Sequence, residues 1–141
     1  MASVKSSKTV KASAKKPYLS VLLPVYNEEE SLELQHQSVV NALTGFNRSY
    51  EVIFVNDGST DRSGKILKQI ADRDKKVKVV NFRRNFGQTA AMAAGIDYSS
   101  GEVIVFMDSD LQNEPGDIVK LIEKIEEGYD VVSGWRKNRQ D

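Results

Sequence analysis

The sequence contains no cysteine and a single histidine, His36. The first absence removes disulfides, thiolate zinc sites and cysteine nucleophiles together; the second removes any multi-histidine metal site. His36 lies between Gln35 and Gln37 in a helical stretch, with no serine-triad partner in the sequence, and is read as a surface residue. Long apolar runs are missing as well. None approaches the ~18 residues needed to cross a bilayer, so the chain is expected to span no membrane by itself. Net charge is absent too, but the balance of 20 basic and 20 acidic residues is uneven along the chain. Residues 1–17 hold Lys5, Lys8, Lys11, Lys15 and Lys16 and no acid, which leaves a body with a net charge of −5. An acidic body argues against nucleic acid as a partner.

What remains is an ordinary globular composition, 40% hydrophobic and 28% charged over 141 residues. That length predicts one domain able to bury a core. The Lys-, Ser- and Ala-rich residues 1–17 read as a disordered basic tail. They lack the apolar centre of a signal peptide and serve as a solubilising segment, with about 1 kcal/mol of attraction per lysine to an anionic membrane. Residues 18–141 read as the domain.

From Tyr18 onward strands and helices alternate. Short apolar runs at 19–23, 51–55, 77–80 and 103–107 read as strands, and Val131-Val132 starts a fifth. Helices are expected at 28–42, at 61–74 with Ser59 or Thr60 as cap, at 87–98, and at 115–127 opening on Pro115. Ile118, Leu121, Ile122 and Ile125 mark the buried face of the last one. Strands apolar throughout, separated by helices, imply an α/β fold with a mostly parallel sheet and helices on both faces.

In such sheets ligands bind beyond the carboxyl ends of the strands. Those exits are polar: Pro24-Val25-Tyr26-Asn27-Glu28, Asn56-Asp57-Gly58-Ser59, Asn81-Phe82-Arg83-Arg84-Asn85 and Asp108-Ser109-Asp110-Leu111-Gln112. The opposite rim shows only turn residues such as Gly101 and Gly128. Asp108 and Asp110 present two hard oxygen ligands after a buried strand, suited to Mg²⁺ or Mn²⁺; a polar turn with a helix cap is the other reading. Glu28, Asp57, Asp108 and Asp110 outnumber Arg83 and Arg84, so this rim is a site for a diphosphate with a divalent cation, or no diphosphate site at all. Asp57 is placed to accept from a nucleobase or ribose, or to form a turn with Gly58 and Ser59. Tyr26 stacks on a base or packs. Glu28 contacts ligand or is only a first-turn acid.

Taken in order, PVYNEEE, VNDGSTD, RRNFGQTAA and MDSDLQNEP resemble the amino-terminal half of a glycosyltransferase family 2 enzyme with the GT-A fold, closest to the polyprenyl-phosphate branch. The likeness covers about residues 18–137. It implies that Pro24, Tyr26, Glu28, Asp57, Arg84, Asn85 and Asp108 bind the donor nucleotide, and that Asp108, Asp110 and Gln112 hold Mg²⁺ or Mn²⁺. Ser109 stands where the branch usually has Ala. The implied reaction is an inverting transfer from a UDP- or GDP-linked sugar to a polyprenyl phosphate, at the cytoplasmic face of a membrane. The metal stabilises the leaving diphosphate. Family members continue beyond the position of Asp141, so the chain is expected to be truncated, with acceptor-side catalytic residues absent. The uncovered fifth strand is then an edge that a homodimer can cover. The alternative is a nucleotide-binding fragment without turnover. A haloacid dehalogenase-type phosphatase is disfavoured by Gln112 at its required Thr or Val position, and a receiver domain by Tyr26-Asn27 after the first strand.

Overall fold

The computed structural model describes residues 16–107 and 117–127. Most of the basic tail, Asp108, Asp110, Gln112, Pro115 and the expected fifth strand with its dimerising edge lie outside these residues. The described elements run β1 (Leu19–Val25), α1 (Leu32–Ala42), β2 (Tyr50–Asn56), α2 (Ser63–Arg73), β3 (Val77–Asn81), α3 (Gln88–Tyr98), β4 (Val103–Phe106) and α4 (Asp117–Glu126). The four strands form one sheet in the order β3-β2-β1-β4, every pairing parallel. The expected α/β architecture, a parallel sheet with helices on both faces, is what the described residues show.

β1 lies at the centre. It pairs with β2 from Leu19↔Tyr50 to Val25↔Asn56, and with β4 from Leu19↔Val103 to Leu22↔Phe106. Its alternate side chains feed two cores, as the two-residue strand period requires. Leu19, Val21, Leu23 and Val25 join Val52 and Phe54 against Leu32 and Val39 of α1, Leu67 and Ile70 of α2 and Ile122 of α4. On the other face Leu22, Ile53 and Val55 meet Ala91 and Ala94 of α3. Each fully buried Val, Leu, Ile or Phe contributes about 1.5–3 kcal/mol. The small-residue character of α3 allows it to lie close on the sheet. A Cβ on Gly95 would stand 2.6 Å from Leu22 Cδ2. Burial on both faces holds for β1 and β2 but not for β3. Lys78 of that strand, which is outermost among the described strands, is exposed.

Two helix starts differ from the expectation. α1 opens at Leu32 rather than near Glu28, because residues 28–31 form a turn in which the Ser31 N–H donates to the Glu28 carbonyl at 3.0 Å. α2 opens at Ser63 without a Ser59 or Thr60 cap. The Ser59 hydroxyl and the Thr60 N–H are both engaged by Asn27 instead.

His36 is not a surface residue. It is buried, and its Nε2 lies 2.8 Å from Asp74 Oδ2 at the end of α2. With the Arg73–Glu33 pair this ties α1 to α2. The opposite rim is also more than turn residues. Glu51, 5% exposed, accepts from Ser20 Oγ and the Ser100 N–H, each at 2.6 Å, and pairs with Lys78 Nζ at 2.7 Å. Ser20 Oγ in turn accepts from the Gly101 N–H at 2.8 Å. A buried carboxylate partnered this fully joins β1, β2, β3 and the α3–β4 turn; losing one partner leaves buried charge uncompensated.

Burial alone would raise the Asp74 carboxyl. The hydrogen bond with His36, the Lys76 N–H and the charges of His36 and Lys76 outweigh it and hold the carboxyl below its usual value. A depressed carboxylate stabilises the fold above its unfolded pKa and loses that contribution as pH falls through the folded one. We therefore expect Asp74→Asn to cost about 1–2 kcal/mol near neutral pH in chemical denaturation. The gap from the parent chain should close as pH drops below the ordinary carboxylate value of about 4. A gap that stays constant through that range would contradict this assignment.

Candidate functional site

All four strands point the same way, so all four exits meet at one rim. The order β3-β2-β1-β4 adds a further constraint. From β1 the chain builds outward through β2 to β3, then returns to the other side of β1 as β4. The connections on either side of β1 therefore diverge above it and leave a crevice, which is where open α/β sheets hold ligands.

The β1 exit is tied to the β2 exit by side chains. Asn27 has φ 49°, a left-handed conformation that Asn tolerates better than most residues. From there its Oδ1 accepts from the N–H groups of Thr60 at 2.7 Å and Asp61 at 3.3 Å, while its own N–H donates to Ser59 Oγ at 2.9 Å. The Glu28 N–H donates to Ser63 Oγ at 2.9 Å and the Glu29 N–H to Asp61 Oδ2 at 3.2 Å. Glu29 Oε1 accepts from the Arg62 N–H at 2.8 Å, just before α2. Slight burial pulls the Asp61 carboxyl upward, but hydrogen bonds from Ser63 and Glu29 overcome this and hold it below its usual value. The Glu28 carboxylate is positioned from beneath. Its Oε1 accepts from Gln35 Nε2 at 2.8 Å and its Oε2 from the Tyr26 N–H at 3.3 Å. Gln35 is 1% exposed, and its Nε2 also donates to Ser31 Oγ at 2.9 Å.

The β2 exit is tied in turn to the β3 exit. Asn56 Nδ2 donates to Asn81 Oδ1 at 2.9 Å. Asp57, 4% exposed, takes the N–H groups of Phe86 at 2.7 Å and Gly87 at 3.0 Å, and Asn85 Nδ2 at 3.1 Å. Gly58 has φ 72°, and a Cβ there would fall 2.1 Å from the Arg84 carbonyl carbon, so two backbones touch where only glycine fits. On the loop so held, the Arg84 guanidinium stacks 4.4 Å over the Phe86 ring, and Phe86 meets Phe82 edge-on at 5.6 Å.

Between these exits lies a cleft of about 240 Å³ lined by Pro24, Val25, Tyr26, Glu28, Asp57, Asn85, Gly87 and Gln88. Five residues expected at a nucleotide site, Pro24, Tyr26, Glu28, Asp57 and Asn85, thus come together. Arg84 does not line it, being stacked on exposed Phe86 at its margin. β4 ends beside β1, the Met107 N–H donating to the Leu22 carbonyl at 2.9 Å. The sequence continues from there into Asp108, Asp110 and Gln112, outside the described residues. Among the described residues no three His, Asp or Glu side chains converge as a metal site. Sequence reading missed Asn27, Gln35, Gly87 and Gln88. Asn27 stands in the first strand exit and Gly87 and Gln88 in the RRNFGQTAA motif, so position was their signal; Gln35, inside α1 and seven residues after Glu28, left none of that kind.

A model of the family described as glycosyl transferase family 2 matches residues 20–141. The chain belongs to that family. An undecaprenyl-phosphate 4-deoxy-4-formamido-L-arabinose transferase of Edwardsiella ictaluri is 41% identical over 125 residues, covering 88% of this chain and 38% of the relative. This family 2 chain therefore spans well under half the length of such relatives. Among solved structures, the Pyrobaculum calidifontis mannosyltransferase PcManGT in complex with GDP-Man and Mn²⁺ superposes with a TM-score of 0.62 at 20% identity, over 78% of this chain and 32% of that one. S. aureus TarS in complex with UDP gives 0.60 at 22% identity, over 85% and 39%. At such identities these two speak for the fold.

The Asn27 tie is open to test. Asn27→Ala removes the acceptor for two N–H groups and should lower stability by about 1–3 kcal/mol in urea denaturation. Asn27→Gly keeps the positive φ accessible and should lose about 1 kcal/mol less than the alanine variant, despite glycine's freer backbone. Equal losses in the two variants would show that the left-handed conformation carries no cost.

Proposed function

We propose that this family 2 domain supplies the donor half of a metal-dependent inverting glycosyltransferase. It binds a UDP- or GDP-linked sugar and passes the sugar to a polyprenyl phosphate. The observation that carries the reading is the cleft above β1, where Pro24, Tyr26, Glu28, Asp57 and Asn85 converge at the reversal of strand order. The undecaprenyl-phosphate transferase relatives support the lipid-phosphate acceptor. The neighbours in complex with UDP, UDP-GlcNAc or GDP-Man support a nucleotide-sugar donor.

In this reading Tyr26, 45% exposed at the mouth of the cleft, flanks the base. Glu28, held by Gln35, meets the nucleoside, and Asn85 lies beside the donor sugar. Asp108, Asp110 and Gln112 would hold Mg²⁺ or Mn²⁺, whose chemistry is to neutralise the leaving diphosphate. The donor set fits a hard cation, being oxygen only. The rim's own charge favours the same reading. In the exit sequences Glu28, Asp57, Asp108 and Asp110 outnumber Arg83 and Arg84, an excess of negative charge that repels a bare diphosphate. A phosphate acceptor is already an anion and needs little general-base help. A lipid-phosphate acceptor puts the reaction at a membrane surface; among the described residues no helix is long and apolar enough to cross one.

Calorimetric titration of UDP and GDP in the presence of Mn²⁺ tests this. Binding of one nucleotide should appear, fall at least tenfold in EDTA, and fall similarly in Asp110→Ala. Metal-independent binding would remove the metal from the proposal. Failure of the folded chain to bind either nucleotide would leave the donor reading without support. Transfer of label from the matching nucleotide sugar to a polyprenyl phosphate then separates an enzyme from a nucleotide-binding fragment.

A further inference from the structure

We propose that Asp57 acts as a positioning residue: it fixes the Arg83–Gly87 loop at the rim of the cleft, and affects the donor through that loop rather than chiefly by reading the base. The inference rests on the donor-site reading above and deepens it.

The geometry of the carboxylate carries the argument. An ionised carboxylate offers about four lone-pair directions. Three are taken within the chain: Phe86 N–H on Oδ1, and Gly87 N–H and Asn85 Nδ2 on Oδ2. Asn85 Nδ2 also reaches the Asp57 carbonyl at 3.1 Å. The group is 4% exposed, so at most one direction is left for a ligand. All three donors belong to one loop, and that loop leads directly into α3. A carboxylate facing the N–H groups at the start of a helix also sits favourably in the helix dipole. Gly58 completes the clamp from the backbone side, touching Arg84 and Asn85 where no Cβ fits.

What the clamp positions is the cationic segment of the rim. Arg83 and Arg84 immediately precede the clamped residues, and Arg84 is further restrained over Phe86. Guanidinium groups recognise phosphate by planar geometry, so their placement matters as much as their charge. Without Asp57 the loop would lose its acceptors while keeping its charge, and Asn85 in the cleft lining, with the arginines that precede it, would no longer be held in one arrangement.

The experiment compares the 141-residue chain with Asp57→Asn, which preserves shape but turns one acceptor oxygen into a donor group facing other donors. The first readout is amide hydrogen exchange without nucleotide. Phe86 and Gly87 should exchange about tenfold faster or more, as expected for a lost charged hydrogen bond. Core amides of β1 and β2 should be unchanged. The second readout is binding of inorganic pyrophosphate with Mn²⁺ beside UDP and GDP with Mn²⁺. A positioning role weakens pyrophosphate and the preferred nucleotide by the same factor. A base-reading role weakens the nucleotide alone and leaves loop exchange untouched; that outcome overturns the proposal and keeps the donor site. Loss of core protection together with the loop would reduce Asp57 to a stability residue and also overturn it. Should Asp57→Asn not fold, Asn85→Ala removes one side-chain tie and leaves the carboxylate in place. It should shift loop exchange and pyrophosphate affinity in the same direction, and unchanged values in that variant overturn the proposal. Absence of binding by the parent chain to pyrophosphate and both nucleotides removes the donor site, and the proposal falls with it, whatever the loop exchange shows.

Discussion

Beyond the last paired residue of each strand, backbone N–H groups lose their sheet partners. Buried or half-buried N–H groups must find acceptors, and at this rim short polar side chains supply them. Asn27, Ser59, Asp61 and Ser63 serve the first and second exits, and Asp57 serves the third. The result is a set of loops fastened across the rim to each other rather than to solvent. A ligand site needs this, because groups that converge on a substrate must hold their geometry without the substrate's help.

The same bonds decide which residues remain available. Asn27, Glu29 and Asp61 are consumed in fastening, although each is polar and sits in a motif of the rim. Glu28 keeps its place at the cleft because Gln35 supports it from α1. Asp57 lines the cleft and fastens a loop at once. Polar residues one position apart therefore differ in role. The difference follows from which way the chain turns after the strand, not from residue type.

The fold was legible because its signals are local. Apolar runs of strand length, small residues in α3 and turn residues between them identify alternating strands and helices, and the alternation implies a parallel sheet. The convergence of Pro24, Tyr26, Glu28, Asp57 and Asn85 was legible for the same reason, since every strand of a parallel sheet exits at one rim. The pairings were not legible. His36 meets Asp74 across 38 positions and Asn27 meets Thr60 across 33, and nothing in the local composition of either partner announces the other. His36 sits between two glutamines and reads as exposed, yet α1 turns it towards α2. Glu51 reads as the polar start of a strand, yet Ser20, Lys78 and Ser100 close around it. The starts of α1 and α2 differ from the local signals for a related reason. Acids and hydroxyls that favour helix caps in isolation were drawn into the ties between exits, because those ties satisfy more N–H groups.

The two rims of the sheet show how one requirement serves different ends. At the end opposite the cleft, Glu51 is buried beside a lysine and takes its remaining bonds from Ser20 and Ser100, an arrangement in which every charge is answered within the chain. At the cleft, Asp57 takes the N–H groups of Phe86 and Gly87 and the Asn85 amide, and Glu28 accepts from Gln35 Nε2 and the Tyr26 N–H, donors that fix the position of each carboxylate. Neutralising the first pair of groups favours stability. Amides and backbone N–H groups at the other rim hold the side chains that line the cleft in one arrangement above β1.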